Sequence, residues 1–200
     1  MKKVFIYAAC AMLLAGCGSN TKNEMVNSEE AVLSNIMTRT SVRSFTDEPI
    51  SEEQTEKLLR AAMSAPTAVN KQPWAFVVIN EPAVRDLIAS ETHKKPAEHA
   101  PLLVVVCGDM ERALEGEAQD YWIQDCSAAA ENLLLAAHGM GLGAVWLGYY
   151  PIQERVKLLQ ELLQLPSNII PMGIMAVGHP ADRPEPKDKW RPELIHYNKW

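Results

Sequence analysis

YWIQDCSAAAENLLLAAH, Tyr121 to His138, is the stretch whose reading decides the fold. Ala128, Ala129 and Ala130 with Leu133, Leu134 and Leu135 leave it almost no polar face, and a helix apolar nearly all round is buried on several sides. It is expected to be the central helix of the domain and a candidate seam of a dimer. Gly139-Met140-Gly141-Leu142-Gly143-Ala144 follows and spells G-x-G-x-x-A. It lies after a helix and before a strand, whereas a dinucleotide fingerprint needs the reverse order. The Rossmann reading is therefore rejected in favour of a glycine C-cap and turn. Ala144 to Pro151 reads as a strand carrying Gly148, where backbone can approach a ligand closely.

Upstream of that helix the pattern alternates between strands and short helices. Ser28, followed by Glu29 and Glu30, is expected to cap a helix with Val32, Leu33, Ile36 and Met37 on one face. Ser51 to Gln54 spells a capping box opening a second helix through Leu58, Leu59 and Met63. Two prolines make Ala65 to Pro73 a loop. Trp74 to Ile79 and Leu102 to Cys107 are expected as buried strands, with a helix opened by Pro82 between them. His93 to His99 reads as a loop, and its two histidines have no further ligand at metal-binding spacing, so no metal is expected. Asp109 to Asp120 is charged and expected at the surface. Beyond the strand after Gly143, Ile152 to Leu163 is an amphipathic helix. Ile169 to Val177 is a last core strand that Pro171 places near an edge or a bulge.

The ends of the chain carry their own signals. Lys2, Lys3, the apolar run Val4 to Leu14 and Leu14-Ala15-Gly16-Cys17 resemble a bacterial lipoprotein signal, with Cys17 the lipidated residue. Residues 1–16 are then the signal peptide, 17–27 a polar tether and 28–200 a single folded domain. The formal charge of −6 becomes −8 once Lys2 and Lys3 are lost, which argues against a nucleic-acid partner. Cys107 and Cys126 lie in apolar stretches and read as buried free thiols. In the proline-rich tail, Lys187, Lys189 and Arg191 alternate, and in an extended chain they point to one side.

The chemistry is concentrated in Arg39-Thr40-Ser41-Val42-Arg43. Two guanidiniums supply forked donors to phosphate oxygens or ring carbonyls, and hydroxyls fill the remaining directions. The plainer alternative is a cation at a helix C-terminus beside a solvated neighbour. Asn70 and Gln72 in the proline-flanked loop can each donate and accept, as the edge of a flavin requires.

Taken together and in order, Arg39 to Arg43, Pro66-Thr67-Ala68-Val69-Asn70-Lys71-Gln72-Pro73-Trp74, Gly141 to Gly148 and the tail with Arg191 resemble the FMN-dependent nitroreductase family. The resemblance implies an α+β fold, a mixed, mostly antiparallel sheet flanked by helices around a long central helix, in an intertwined homodimer. It implies FMN as cofactor, with Arg39, Thr40 and Ser41 at its phosphate, joined by Arg191, and with Arg43 near the flavin N1 and C2 carbonyl. There a positive charge favours the anionic reduced ring. Pro66, Thr67, Ala68, Asn70 and Gln72 correspond to the loop that reaches the partner subunit's FMN. Leu147 and Gly148, with Tyr149 beside them, correspond to the segment approaching N5 and O4. No side chain stands out as a catalytic acid or base.

The implied reaction is a ping-pong transfer of hydride from NAD(P)H or another donor, through the flavin, to a nitroaromatic, quinone or similar flat acceptor. Two alternatives stay open: a relative with different flavin chemistry, such as dehalogenation or flavin breakdown, and a lipid-anchored flavin carrier without efficient turnover. The signal pattern adds an expected location, anchored to a bacterial membrane on its periplasmic side. There a membrane quinol could replace the reduced nicotinamide as donor.

Overall fold

The structure, a computed structural model, describes the backbone of residues 20–200 and side chains from Ser28 onward, except those of residues 97 and 98. The expected signal peptide and Cys17 lie outside the described residues. The chain divides into two units at Ser34/Asn35. Of the first, the described part is helical and belongs to α1, Asn20–Thr38. The helix begins at Asn20, so Ser28 lies inside it rather than capping it, and residues 20–27, expected as a tether, are helical. No proline or glycine stands between Asn20 and Thr38 to stop it.

The second unit, Asn35–Trp200, is organised around a four-stranded sheet. Its strands are β1 (Trp74–Ile79), β2 (Leu102–Asp109), β3 (Gly143–Gly148) and β4 (Ile169–Gly178). They are ordered β1-β2-β4-β3, every pair antiparallel. β4 is therefore interior. Pro171 is tolerated there because the β2–β4 register shifts between Val106 and Cys107, so the missing N–H falls beside a bulge. The edge alternative is not what the sheet adopts. Among the described residues, the one parallel pairing is the short bridge Ser41 to Ala144.

Both faces of the sheet are covered, which explains why β2 reads as an unbroken apolar run. Leu102, Val104 and Val106 point toward α2 (Glu52–Met63) and α5 (Tyr121–Gly139), packing with Leu58, Ala62, Ala129 and Leu133. Leu103, Val105 and Cys107 point the other way, toward Ile88 of α3 (Pro82–Thr92) and Leu159 of α6 (Gln153–Leu162). The two faces follow from the period-two geometry of a strand. The capping box of α2 is present in full: Gln54 N–H donates to Ser51 Oγ, and Ser51 N–H donates to Gln54 Oε1. Residues 93–99, expected as a loop, contain the short helix α4, Lys95–His99, started by Pro96 in its first turn.

α5 uses most of its surface inside the unit, burying Trp122, Cys126, Ala129, Ala130, Leu133, Leu134 and Ala137. Tyr121 at its start is exposed, and further exposed apolar residues lie in α1 and the tail. Val32, Leu33, Ile36 and Met37, read as one apolar face of α1, are 45 to 70% exposed. Trp190, Tyr197 and Trp200 of the tail are exposed as well.

Candidate functional site

The Arg39 segment is held as an extra, short strand. Val42 N–H donates to Ala144 O at 3.0 Å, Thr46 N–H to His179 O at 2.9 Å, and Ala181 N–H to Ser44 O at 3.0 Å. Val42 is buried against Gly143, where an added Cβ would come within 2.7 Å of Val42 Cγ1. Gly143 thus serves the docking of this segment. The turn feeding it uses Gly141, with φ of 76°, as the left-handed residue, and Leu142 N–H donates back to Ala137 O. Asn35 Nδ2 donates to Leu135 O at 3.0 Å, and Thr38 Oγ1 lies 2.9 Å from His138 Nε2, fixing the segment's other end on α5. Burial, with Arg39 and Arg183 nearby, holds His138 below the usual imidazole range, favouring its neutral form.

Between this segment and the tail lies a cavity of about 920 Å³. Arg39, Thr40, Ser41, Arg43, Lys187 and Lys189 line it on the polar side, Ile36, Met37 and Trp190 on the apolar side. Its four cations outnumber its three acids, Glu131, Glu185 and Asp188. Arg39 is the most enclosed of the pair it forms with Glu131, Nε to Oε1 at 3.3 Å. That contact is made through Nε, and Arg39 lines the cavity beside it. Thr40 Oγ1 donates to Pro184 O at 3.2 Å, tying the tail to the segment, and Arg43 donates to Ser41 O at 3.3 Å. Arg191 does not line the cavity; it precedes the turn Pro192–Leu194 and is exposed. Its neighbours Lys187 and Lys189 line the cavity together with Arg39. The sequence offered no signal for Glu131, because only the packing of α1 and α5 brings it to Arg39.

The other two predicted groups stand apart from this cavity. The loop after α2 holds Pro66, Thr67, Ala68, Asn70 and Gln72, with a 3-10 turn over Ala68–Asn70. Three of its non-glycine residues, Val69, Asn70 and Gln72, have φ of 43°, 58° and 51°. Such left-handed conformations cost about 1 kcal/mol or more each and persist where surroundings impose them. Gln72 Nε2 donates to Asn70 Oδ1 at 2.9 Å, so the two carboxamides are oriented by each other. At the end of β3, Leu147 is buried while Gly148 is exposed, with open space where a side chain would stand. Tyr149 is fully buried and its amide donates to Met172 O, so it turns into the core rather than toward a ligand.

The sequence pattern of the Nitroreductase family matches residues 36–99 and 89–179, which includes the segment, the loop and the sheet just described. The chain belongs to the nitroreductase family. A relative in Archaeoglobus fulgidus, provisionally named an NADH dehydrogenase/NAD(P)H nitroreductase, is 43% identical over 175 residues, covering 86% of this chain and 99% of its own. A solved structure from Bacteroides thetaiotaomicron with the same provisional name has a TM-score of 0.79 at 40% identity, over 85% of this chain and 98% of that one. The NADPH:FMN oxidoreductase of Vibrio harveyi, solved with NAD+, has a TM-score of 0.77 at 28% identity, over 85% and 78% of the two chains. Against these nitroreductase-fold structures, the antiparallel sheet sandwiched by helices is the shared frame.

Proposed function

We propose that this chain is an FMN-dependent oxidoreductase of nitroreductase type, taking electrons from NAD(P)H or another donor and passing them to a nitroaromatic, quinone or similar flat acceptor. The observation that carries the reading is the cationic cavity that Arg39, Ser41, Arg43, Lys187 and Lys189 line together. The donor set fits the cofactor: forked and point cations with hydroxyls for a phosphate dianion, and Ile36, Met37 and Trp190 for an apolar ring edge. When bound, FMN supplies the two-electron chemistry, and the protein supplies position and electrostatics. Arg39 and Ser41 would hold the phosphate, and Arg43 would place positive charge beside the ring. The Pro66–Gln72 loop and Gly148, which lie away from this cavity within one chain, support a site completed by a second copy. A homodimer is part of the proposal.

The amino-terminal pattern supports a location. We read Cys17 as lipidated and the domain as anchored on the periplasmic side of a bacterial membrane, where a membrane quinol would serve as donor. Among the described residues, no helix is long and apolar enough to cross a membrane. The deciding experiment is steady-state turnover of the FMN-loaded full chain with NADH or NADPH against a quinone and a nitroaromatic. Parallel double-reciprocal lines are expected; binding of FMN without turnover would leave a carrier. Fractionation of cells carrying wild type or Cys17→Ser tests the anchor, which fails if the wild type is found unlipidated in the cytoplasm.

A further inference from the structure

Asp125, on α5, is the buried charged side chain among the described residues, 5% exposed. The reading above gives it no task. A buried carboxylate is costly unless its charged form is hydrogen-bonded. Its Oδ1 accepts the Ala68 N–H at 2.9 Å, across 57 residues of sequence. Ala68 opens the Ala68–Asn70 turn, and the first amides of a helical turn have no partner within it. Thr67 is the residue placed to cap this turn, yet its side chain does not; its hydroxyl accepts Gln72 N–H at 3.1 Å. Asp125 therefore supplies from a neighbouring helix the cap that the local sequence withholds.

The capped amide sits directly before the left-handed residues Val69, Asn70 and Gln72. Other bonds of the loop are internal: Asn70 N–H to Thr67 O at 3.1 Å, Lys71 N–H to Ala68 O at 3.0 Å, and Gln72 Nε2 to Asn70 Oδ1. These preserve the loop's shape without tying it to the core. The bond to Asp125 does tie it, and α5 is anchored along its length in the core. A carboxylate suits this task because it only accepts, so it cannot turn a donor toward the amide, and its charge strengthens the bond.

We propose that Asp125 is a positioning residue of the flavin site, holding the Pro66–Gln72 loop so that Thr67, Asn70 and Gln72 are presented to bound FMN. The inference rests on the FMN-dependent reading above. Asparagine at this position can still accept through Oδ1; alanine cannot. Ala68→Pro removes the donor instead, at a first-turn position where proline is tolerated, and Thr67 already has the extended backbone that precedes proline, with φ of −134° and ψ of 156°.

The test measures FMN dissociation constants of the full chain by flavin fluorescence, and kcat and KM of the loaded protein, for wild type, Asp125→Ala, Asp125→Asn, Ala68→Pro and the Asp125→Ala/Ala68→Pro pair. Asp125→Ala and Ala68→Pro are each expected to raise Kd on the order of tenfold, the pair no further than either alone, and Asp125→Asn to return to within about threefold of wild type. Circular dichroism identifies the variants that fold, and Ala68→Pro carries the test if Asp125→Ala does not. Wild-type Kd in a folded Asp125→Ala or Ala68→Pro variant, or additive losses in the pair, overturns the clamp alone. So does an Asp125→Asn variant as weak as Asp125→Ala. A wild-type chain that binds no FMN overturns the oxidoreductase reading and the clamp together.

Discussion

Arg39 pairs through Nε with Glu131, and in the proposed site it also meets the phosphate. Losing a charged hydrogen bond to phosphate costs on the order of 1.5 to 3 kcal/mol. Arg39→Ala is therefore expected to raise the Kd for FMN by about tenfold to a hundredfold in a fluorescence titration. Arg39→Lys should recover only part of this, because an ammonium cannot be held at one nitrogen and present a fork with two others. Full recovery by lysine would show that charge alone suffices there. The two thiols give a second residue-scale prediction. Burial pushes Cys107 up from its ordinary 9.0 to about 12. Cys126 is raised as well, by burial first and then by Cys107 and Asp125. Between about pH 9 and 12 the folded chain thus holds protons that the unfolded chain releases, so stability falls as pH rises. The slope from Cys107 alone is about 1.4 kcal/mol per pH unit. Denaturant midpoints at pH 8, 9.5 and 10.5 should fall more steeply for wild type than for Cys107→Ala; equal slopes would contradict the shift.

At the scale of elements, the devices that set α2 are local, and they were legible for that reason. Ser51 and Gln54 satisfy each other's backbone amides within one turn, independent of anything packed above them. Ser51→Ala is expected to cost about 1 kcal/mol in urea denaturation, with an unchanged m-value. A loss below a few tenths would mean that the first turn of α2 is held by its packing. The strands were legible through their apolar runs and the alternation of side chains across β2. Less legible were the start of α1, where the cap pattern at Ser28 marks a boundary that the helix passes over, and the short helix in residues 95–99. β4 shows the limit differently: Pro171 announced an irregularity, but whether an edge or a bulge absorbed it depended on which strands came to lie on either side.

For the whole molecule, Ile36 and Met37 are exposed and line the cationic cavity with Trp190 of the tail, and in the proposed homodimer a second copy would cover them. Ile36→Asp with Met37→Asp is expected to shift the chain from dimer to monomer in sedimentation at low micromolar concentration, with loss of FMN. Obligate interfaces commonly bury more than about 2,000 Å², so one charged pair at a core stripe should suffice. A wild-type monomer that retains FMN would overturn the dimer. The sequence by itself determined the central helix, the strands, the burial of β2, the rejection of a dinucleotide turn and the arginine segment, because caps, turns and apolar periods are properties of neighbouring residues; β1, expected buried as well, is mostly half-buried because it lies at the sheet edge. Only the tertiary structure decided that Glu131 meets Arg39, that Pro184 receives the Thr40 hydroxyl and that Asp125 caps Ala68. It also decided that Lys187 and Lys189 line the cavity while Arg191 does not. Those partners lie far apart along the chain. Which carboxylate or carbonyl meets which donor follows from how helices and sheet pack, and no local pattern of residues encodes that geometry.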